Sequence, residues 1–134
     1  MSTELLQHYV ETIDTMDSVD DITHWIIGIG KTVAVENTKS LRNKSNYISG
    51  CQNPVWLSGA HVNNQHWIFC ADSDSLYVKG IAKIVTDTYN KLASEEVLDV
   101  SLHDFKQITQ KLPLRRQRGV QQIINRIRYL VQQH

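Results

Sequence analysis

The chain has 134 residues, with 14 Lys+Arg balanced by 14 Asp+Glu and only two cysteines. That length fits one domain, residues 1–134, which buries roughly two-thirds of the surface its unfolded form exposes, so neither a disulfide framework nor a structural metal is needed for folding. Zero net charge excludes a global pull toward nucleic acid or an anionic membrane, and no run approaches the ~18 consecutive apolar residues of a membrane span.

At the N-terminus, MSTELLQHYVETIDTM has no basic segment leading into an apolar core, so no secretory signal is expected. Instead Leu5, Leu6, Tyr9, Val10, Ile13 and Met16 fall at helical spacing over 3–16, with Ser2 or Thr3 as the cap. The acidic stretch Asp17–Asp21 suits a turn and the first turn of a second helix. On that helix Ile22, Trp25, Ile26, Ile29 and Val33 share a face, while Gly28 and Gly30 each weaken it by up to about 1 kcal/mol. Without a preceding strand or a GxGxxG pattern, Gly28-Ile29-Gly30 is no phosphate loop.

ENTKSLRNKSN, from Glu36 to Asn46, is polar and aperiodic and reads as an exposed loop. Tyr47-Ile48 begins a short strand that ends at Gly50-Cys51. Residues 55–70 read as an antiparallel hairpin turning at Asn63-Asn64, a pair that tolerates positive φ. Asp72-Ser73-Asp74 then punctuates the strand and caps a long helix with Leu76, Ile81, Ile84, Val85, Thr88 and Leu92 on its apolar stripe. Short helices follow at Ser94 and after Ser101. Pro113 breaks the chain, and the final helix, 116–133, turns Val120, Ile123, Ile124, Ile127 and Val131 inward. The sum is α+β: a small antiparallel β-sheet, the hairpin plus a short strand, packed against several helices.

Two cysteines without a CxxC are fewer than a secreted scaffold of this size uses, which points to reduced thiols and a cytoplasmic protein. The informative stretch is Ser49 to Gly80. It holds Gly50-Cys51, then Val55-Trp56-Leu57, the hairpin, and finally Asp72, Ser73, Asp74, Val78, Lys79 and Gly80. In this order the residues resemble the SufE family of cysteine-desulfuration proteins, whose pattern is G-C-x-x-x-V-W-L followed by D-S-D-x-x-x-V-K-G. The strong part of the match covers about a quarter of the chain. Elsewhere it thins: Lys31–Val35 stands where the family carries a Leu-Pro motif. Near the C-terminus the family's Leu-x-Pro-Ser-Arg-x-x-Gly aligns its Arg with Arg116 and its Gly with Gly119, but Pro113 comes one position early and Arg115 replaces the capping Ser.

The resemblance implies a sulfur carrier with no cofactor of its own. A pyridoxal-phosphate cysteine desulfurase of the SufS or CsdA kind would load Cys51 with a persulfide and be stimulated in return. Sulfur would then pass to an iron–sulfur scaffold. The resemblance also implies that the acceptor lies on a loop tip with its thiol tucked into an apolar hollow. Gly50, Gln52, Asp72, Ser73, Asp74, Lys79 and Arg116 are candidates for supporting that loop or touching the partner. Which branch, SufE or CsdE, and whether the free protein is a monomer or a homodimer, stay open.

The residues support the chemistry on their own terms, since sulfur transfer parallels thiol–disulfide exchange and needs an accessible thiolate. Gly50 gives backbone freedom, and Gln52-Asn53-Pro54 prevents a regular strand. Extending the hairpin register brings Cys51 toward 72–75, where a helix start favours a thiolate and Asp72 and Asp74 oppose it. Buried, inert cysteine is the competing reading, and Cys70, on a hydrophobic strand, is assigned core or edge packing. Trp56 and Trp67 either shelter the persulfide or fill the core. His61 and His66 flank the turn without a full metal-ligand set. Arg115, Arg116, Arg118, Arg126 and Arg128 form either a solvated face or a protein-docking surface; no aromatics interleave them as stacking on nucleic acid requires.

Three function classes follow. One is the persulfide acceptor. A second is an iron–sulfur scaffold of the IscU type, which shares this general architecture but needs more thiolates than two. The third is a regulatory binding module in which Cys51 is incidental.

Overall fold

The computed structural model describes residues 4–134; the expected Ser2 or Thr3 cap lies outside them. Helices α1 (Glu4–Ile13) and α2 (Val19–Lys31) come first. Ser18 caps α2, its hydroxyl accepting from the Asp21 N–H at 3.0 Å. The helix ends at Lys31, so Val33 lies beyond it. The polar stretch after it is more ordered than an exposed loop. It forms α3 (Val35–Thr38) and a 3-10 turn (Lys39–Leu41), and Thr38 is buried.

Three antiparallel strands follow in the order β1 (Tyr47–Ile48), β2 (Val55–Val62) and β3 (His66–Ser73). Asn63 and Asn64, at φ of 54° and 56°, turn the chain between β2 and β3, as their side chains allow. The register pairs Val55 with Ser73 and Val62 with His66. The hairpin therefore runs three residues past Cys70, and Asp72 and Ser73 belong to β3 rather than to a helix cap. The cap of α4 (Leu76–Tyr89) is Ser75, whose hydroxyl accepts from the Val78 N–H at 3.2 Å. Capping chemistry is shared by all the polar residues of this stretch, and the strand's continued pairing decides which one performs it.

Along β3 the side chains of Trp67, Phe69 and Ala71 point into the core. Cys70 lies on the opposite face of the pleat and is exposed, so the expectation of a packed cysteine is overturned by strand alternation itself. On α4 the buried face runs through Ile81, Ile84, Val85 and Thr88, whereas Leu76 is exposed and Leu92 is buried beyond the helix end.

The chain continues through α5 (Ser94–Asp99), a 3-10 turn (Leu102–Phe105), α6 (Lys106–Thr109) and α7 (Leu114–Gln133). Helix α7 buries Val120, Ile123, Ile124, Ile127 and Val131, the inward set read from spacing. Each is worth roughly 1.5–3 kcal/mol of burial. Arg128 reaches back from this helix to the carbonyls of Leu98 and Val100 at 2.8 and 3.0 Å, holding the end of α5.

Helix α4 is the hub, packed on α1, α2, β3 and α7. It crosses α2 at unusually short range. A Cβ on Gly30 would lie 2.1 Å from the Leu76 carbonyl oxygen, and one on Gly80 would lie 2.0 Å from that of Ile26. Gly30 therefore returns in packing more than it costs in helix propensity.

Candidate functional site around Cys51

Residues 49–54 close the β1–β2 hairpin, because Ile48 pairs with Val55. Gly50 holds φ at +89°, a conformation that a side chain would strain, and this turns the chain so that Cys51 points back toward the body of the protein. Cys51 is half-buried against the core. The hollow around it is floored by Val55, Val78, Ile81 and Ile123 and rimmed by Asn53 and Arg116. Its free space is about 20 Å³, room for roughly one water-sized group.

Burial pushes the Cys51 thiol up from its ordinary pKa, and the nearby positive charge of Arg126 offsets this only in part. The thiol is therefore protonated at neutral pH. The β2–β3 pairing stops at Val55 and Ser73, so Cys51 is placed by the 49–54 loop and not by a continued strand register. The loop then lies over the N-terminal part of α4, against Val78 in its first turn and Ile81 one turn further on.

Several polar contacts hold the loop in place. Arg116 Nη1 donates to Asn53 Oδ1 at 3.0 Å, and its guanidinium lies 4.6 Å from the centre of the Tyr77 ring. The Ser73 hydroxyl donates to the Pro54 carbonyl at 2.6 Å. Arg126 Nη2 donates to the Tyr47 carbonyl at 2.9 Å, bracing β1. Gln52 is exposed at the rim of the hollow. The arginines of the C-terminal segment thus divide: Arg116, Arg126 and Arg128 are tied into the fold, while Arg115 and Arg118 are exposed.

Asp72 and Lys79 do not enter the hollow. Lys79 is buried, with Nζ 3.2 Å from Asp72 Oδ1. Arg42 Nε donates to Asp72 Oδ2 at 2.7 Å, and its Nη1 pairs with the exposed Asp74. Burial pushes the Asp72 carboxyl up, but Arg42, Lys79 and the Ser73 backbone together outweigh it and hold its pKa below the ordinary value. Asp72, Asp74 and Lys79 are therefore joined in one ion-pair network that Arg42 completes.

Trp56 and Trp67 are also absent from the hollow. Trp56 is on the other face of β2, with the Arg42 guanidinium 4.7 Å above its ring. Trp67 is buried, stacks on Phe69, and donates Nε1–H to Ser94 Oγ at 2.9 Å. His61 Nδ1 meets His134 Nε2 at 2.7 Å, and no group of three or more metal-ligating side chains occurs among the described residues.

The family model described as "SufE: Fe-S metabolism associated domain" matches residues 7–131. The chain belongs to the SufE family. A SufE domain ties it to iron–sulfur metabolism, and the match extends well beyond the stretch from Ser49 to Gly80, taking in α2 and the altered Pro113–Gly119 region. Among the described residues, no helix of this SufE-family chain is long and apolar enough to cross a membrane. Sequence reasoning singled out neither Tyr77, beneath the Arg116 guanidinium, nor Arg42, which completes the Asp72 network, and it named Asn53 and Arg126 without their bracing contacts. Arg42 stands 30 residues from Asp72, in an aperiodic segment, and only the fold brings the two together.

Proposed function

We propose that this SufE-family protein, as one domain, accepts a sulfane sulfur on Cys51 from a cysteine desulfurase, stimulates that enzyme, and passes the sulfur on for iron–sulfur cluster assembly. The observation that carries this reading is the setting of Cys51. It sits within a glycine-turned loop, directly after Gly50, and lines an apolar hollow that has room for about one more atom of sulfur's size.

The transfer is an exchange without net oxidation. The Cys51 thiol loses its proton, and the thiolate attacks the outer sulfur of the desulfurase persulfide. The S–S bond breaks, and the desulfurase cysteine leaves as a thiolate. Cys51 then carries the persulfide until a thiolate of the next acceptor takes the outer sulfur. Because burial keeps the thiol protonated in the resting hollow, reaction requires the 49–54 loop to carry the sulfur outward into the partner's site. On return, apolar walls shield the persulfide from stray thiols. Arg116 and Ser73 support the resting loop, and Gly50 is where it hinges.

The test is intact mass without reductant, after incubation with a desulfurase from the same organism, cysteine and pyridoxal phosphate. A gain of one or more sulfur atoms, mapped to Cys51 and lost in Cys51→Ser, is expected. No gain while the desulfurase loads its own cysteine would overturn the carrier reading for that pair. Equal stimulation of the desulfurase by Cys51→Ser would mark a regulatory module instead.

A further inference from the structure

A groove of about 340 Å³ adjoins the cysteine hollow, between α2, α4 and the start of α7. Arg115 and Arg116 line both, so a body seated in the groove lies beside the Cys51 loop. One wall is apolar, made by Val19 at 65% exposed, half-buried Ile27 and the Tyr77 ring. Lys111, Arg115 and Arg116 line the groove from the other side, and no carboxylate does.

These three cations differ in how far the fold already uses them. Lys111 Nζ donates to the carbonyls of Ile13 and Met16 at 2.9 and 3.3 Å. Arg116 is held by Asn53 and Tyr77. Arg115 is exposed and has no hydrogen bond or ion pair among the described residues. It stands in the first turn of α7, where the helix dipole disfavours a cation, and Arg116 and Arg118 add like charge. The fold thus gains nothing from the charge of Arg115, at a position where the SufE pattern has Ser.

We propose that this groove docks an apolar–acidic segment of the sulfur-donating desulfurase, with apolar side chains on Val19, Ile27 and Tyr77 and a carboxylate on Arg115. The proposal rests on the sulfur-carrier reading and specifies its partner. Cys51 is a free thiol here, so this is the face that a donor meets, whereas an acceptor meets the loaded protein. Charge complementarity selects the segment. A carboxylate gains a guanidinium that has no other partner, while a basic segment is repelled by three cations. Because the whole chain has zero net charge, the attraction is local to this face and sets orientation over Cys51.

The experiment titrates the full chain against a desulfurase from the same organism by calorimetry, at low and at physiological salt. Arg115→Glu is expected to weaken binding about tenfold or more and to flatten its salt dependence. Val19→Asp, a substitution that the first turn of α2 tolerates, should weaken it at least several-fold by setting a charge against the apolar side chains. Arg118→Glu makes the same charge change at an exposed residue outside the groove and should stay within about twofold of wild type. Wild-type affinity in Arg115→Glu overturns the proposal, as does an equal loss in Arg118→Glu, which would mark diffuse attraction. An effect of Arg115→Glu on self-association alone, or on delivery to an acceptor alone, also overturns it. The two readings fail separately. Sulfur reaching Cys51 with binding indifferent to Arg115 sinks the docking groove and keeps the carrier. Binding that depends on Arg115 without sulfur on Cys51 supports the groove and sinks the carrier.

Discussion

Arg116, on the first turn of α7, holds Asn53, two residues after Cys51, through a 3.0 Å hydrogen bond while its guanidinium lies over Tyr77 of α4. One side chain thus ties the cysteine loop to two helices at once. Arg116→Ala removes a charge-assisted hydrogen bond and a cation–π contact, together about 1–2 kcal/mol for a half-exposed group. Much of that loss should fall on the loop rather than on global stability. Cys51 alkylation by an uncharged reagent is expected to speed up at least several-fold, with urea midpoints moving little. Unchanged alkylation would mean that the loop is held elsewhere.

The Cys51 thiol is raised by burial, so the native state keeps its proton where the unfolded state has lost it. Stability from this source is complete below the unfolded thiol's value, about 8.5, and is lost as pH rises through the higher folded value. Urea unfolding from pH 7 to 10 should show wild type losing stability faster than Cys51→Ala. Arg126→Gln, which removes the opposing positive charge, should push the pH profile of Cys51 alkylation further upward. A downward shift would contradict the electrostatics.

Asp72 carries the opposite sign. Its carboxyl is held below the ordinary value by Arg42 and Lys79 despite burial. Its contribution is therefore present above about pH 3.9 and fades as pH falls through the folded value. Asp72→Asn leaves Lys79 buried without a counter-charge and should cost about 3–5 kcal/mol at pH 7. The double change Asp72→Asn with Lys79→Met should recover a large part of that loss. Chemical denaturation of the three variants decides whether the penalty belongs to the stranded lysine.

Much of this architecture is legible in the chain because it obeys local rules. The inward face of α7 follows from the spacing of five aliphatic residues, and the hairpin turn follows from two asparagines. Gly50-Cys51 and Val55-Trp56-Leu57 mark the cysteine loop. What sequence reasoning lost is long-range or competitive. The Arg42–Asp72–Lys79 network joins positions 30 and 7 residues apart, and no periodicity announces it. Ser75 rather than Asp72 or Ser73 caps α4 because β3 keeps pairing through Ser73. The hydrophobic neighbours of Cys70 suggest core or edge packing, whereas it is exposed on the edge strand β3. Its face of the pleat, set by Trp67 and Phe69, was the better guide.

The glycines of α2 and α4 give a sharp contrast. Gly28 has nothing within 4 Å of where a Cβ would stand, so Gly28→Ala should stabilise the protein by about 0.5–1 kcal/mol through helix propensity. Gly80→Ala would drive a methyl group to 2.0 Å from the Ile26 carbonyl oxygen and must push the helices apart. A loss of about 3 kcal/mol or more, or failure to fold, is expected from overpacking against backbone. Thermal melts of the two variants should move in opposite directions.

That crossing also decides where motion can occur. Two backbones interlocked at Gly30 and Gly80 act as a vice. They grip the α4 segment that floors the cysteine hollow, so neither helix can slide to widen it. Opening must come from the loop side, by release of Asn53 and rotation about Gly50. Under the proposed function, a partner that draws Cys51 outward needs to displace six residues, 49–54, and can leave the rest of the chain standing as a fixed anvil beneath them.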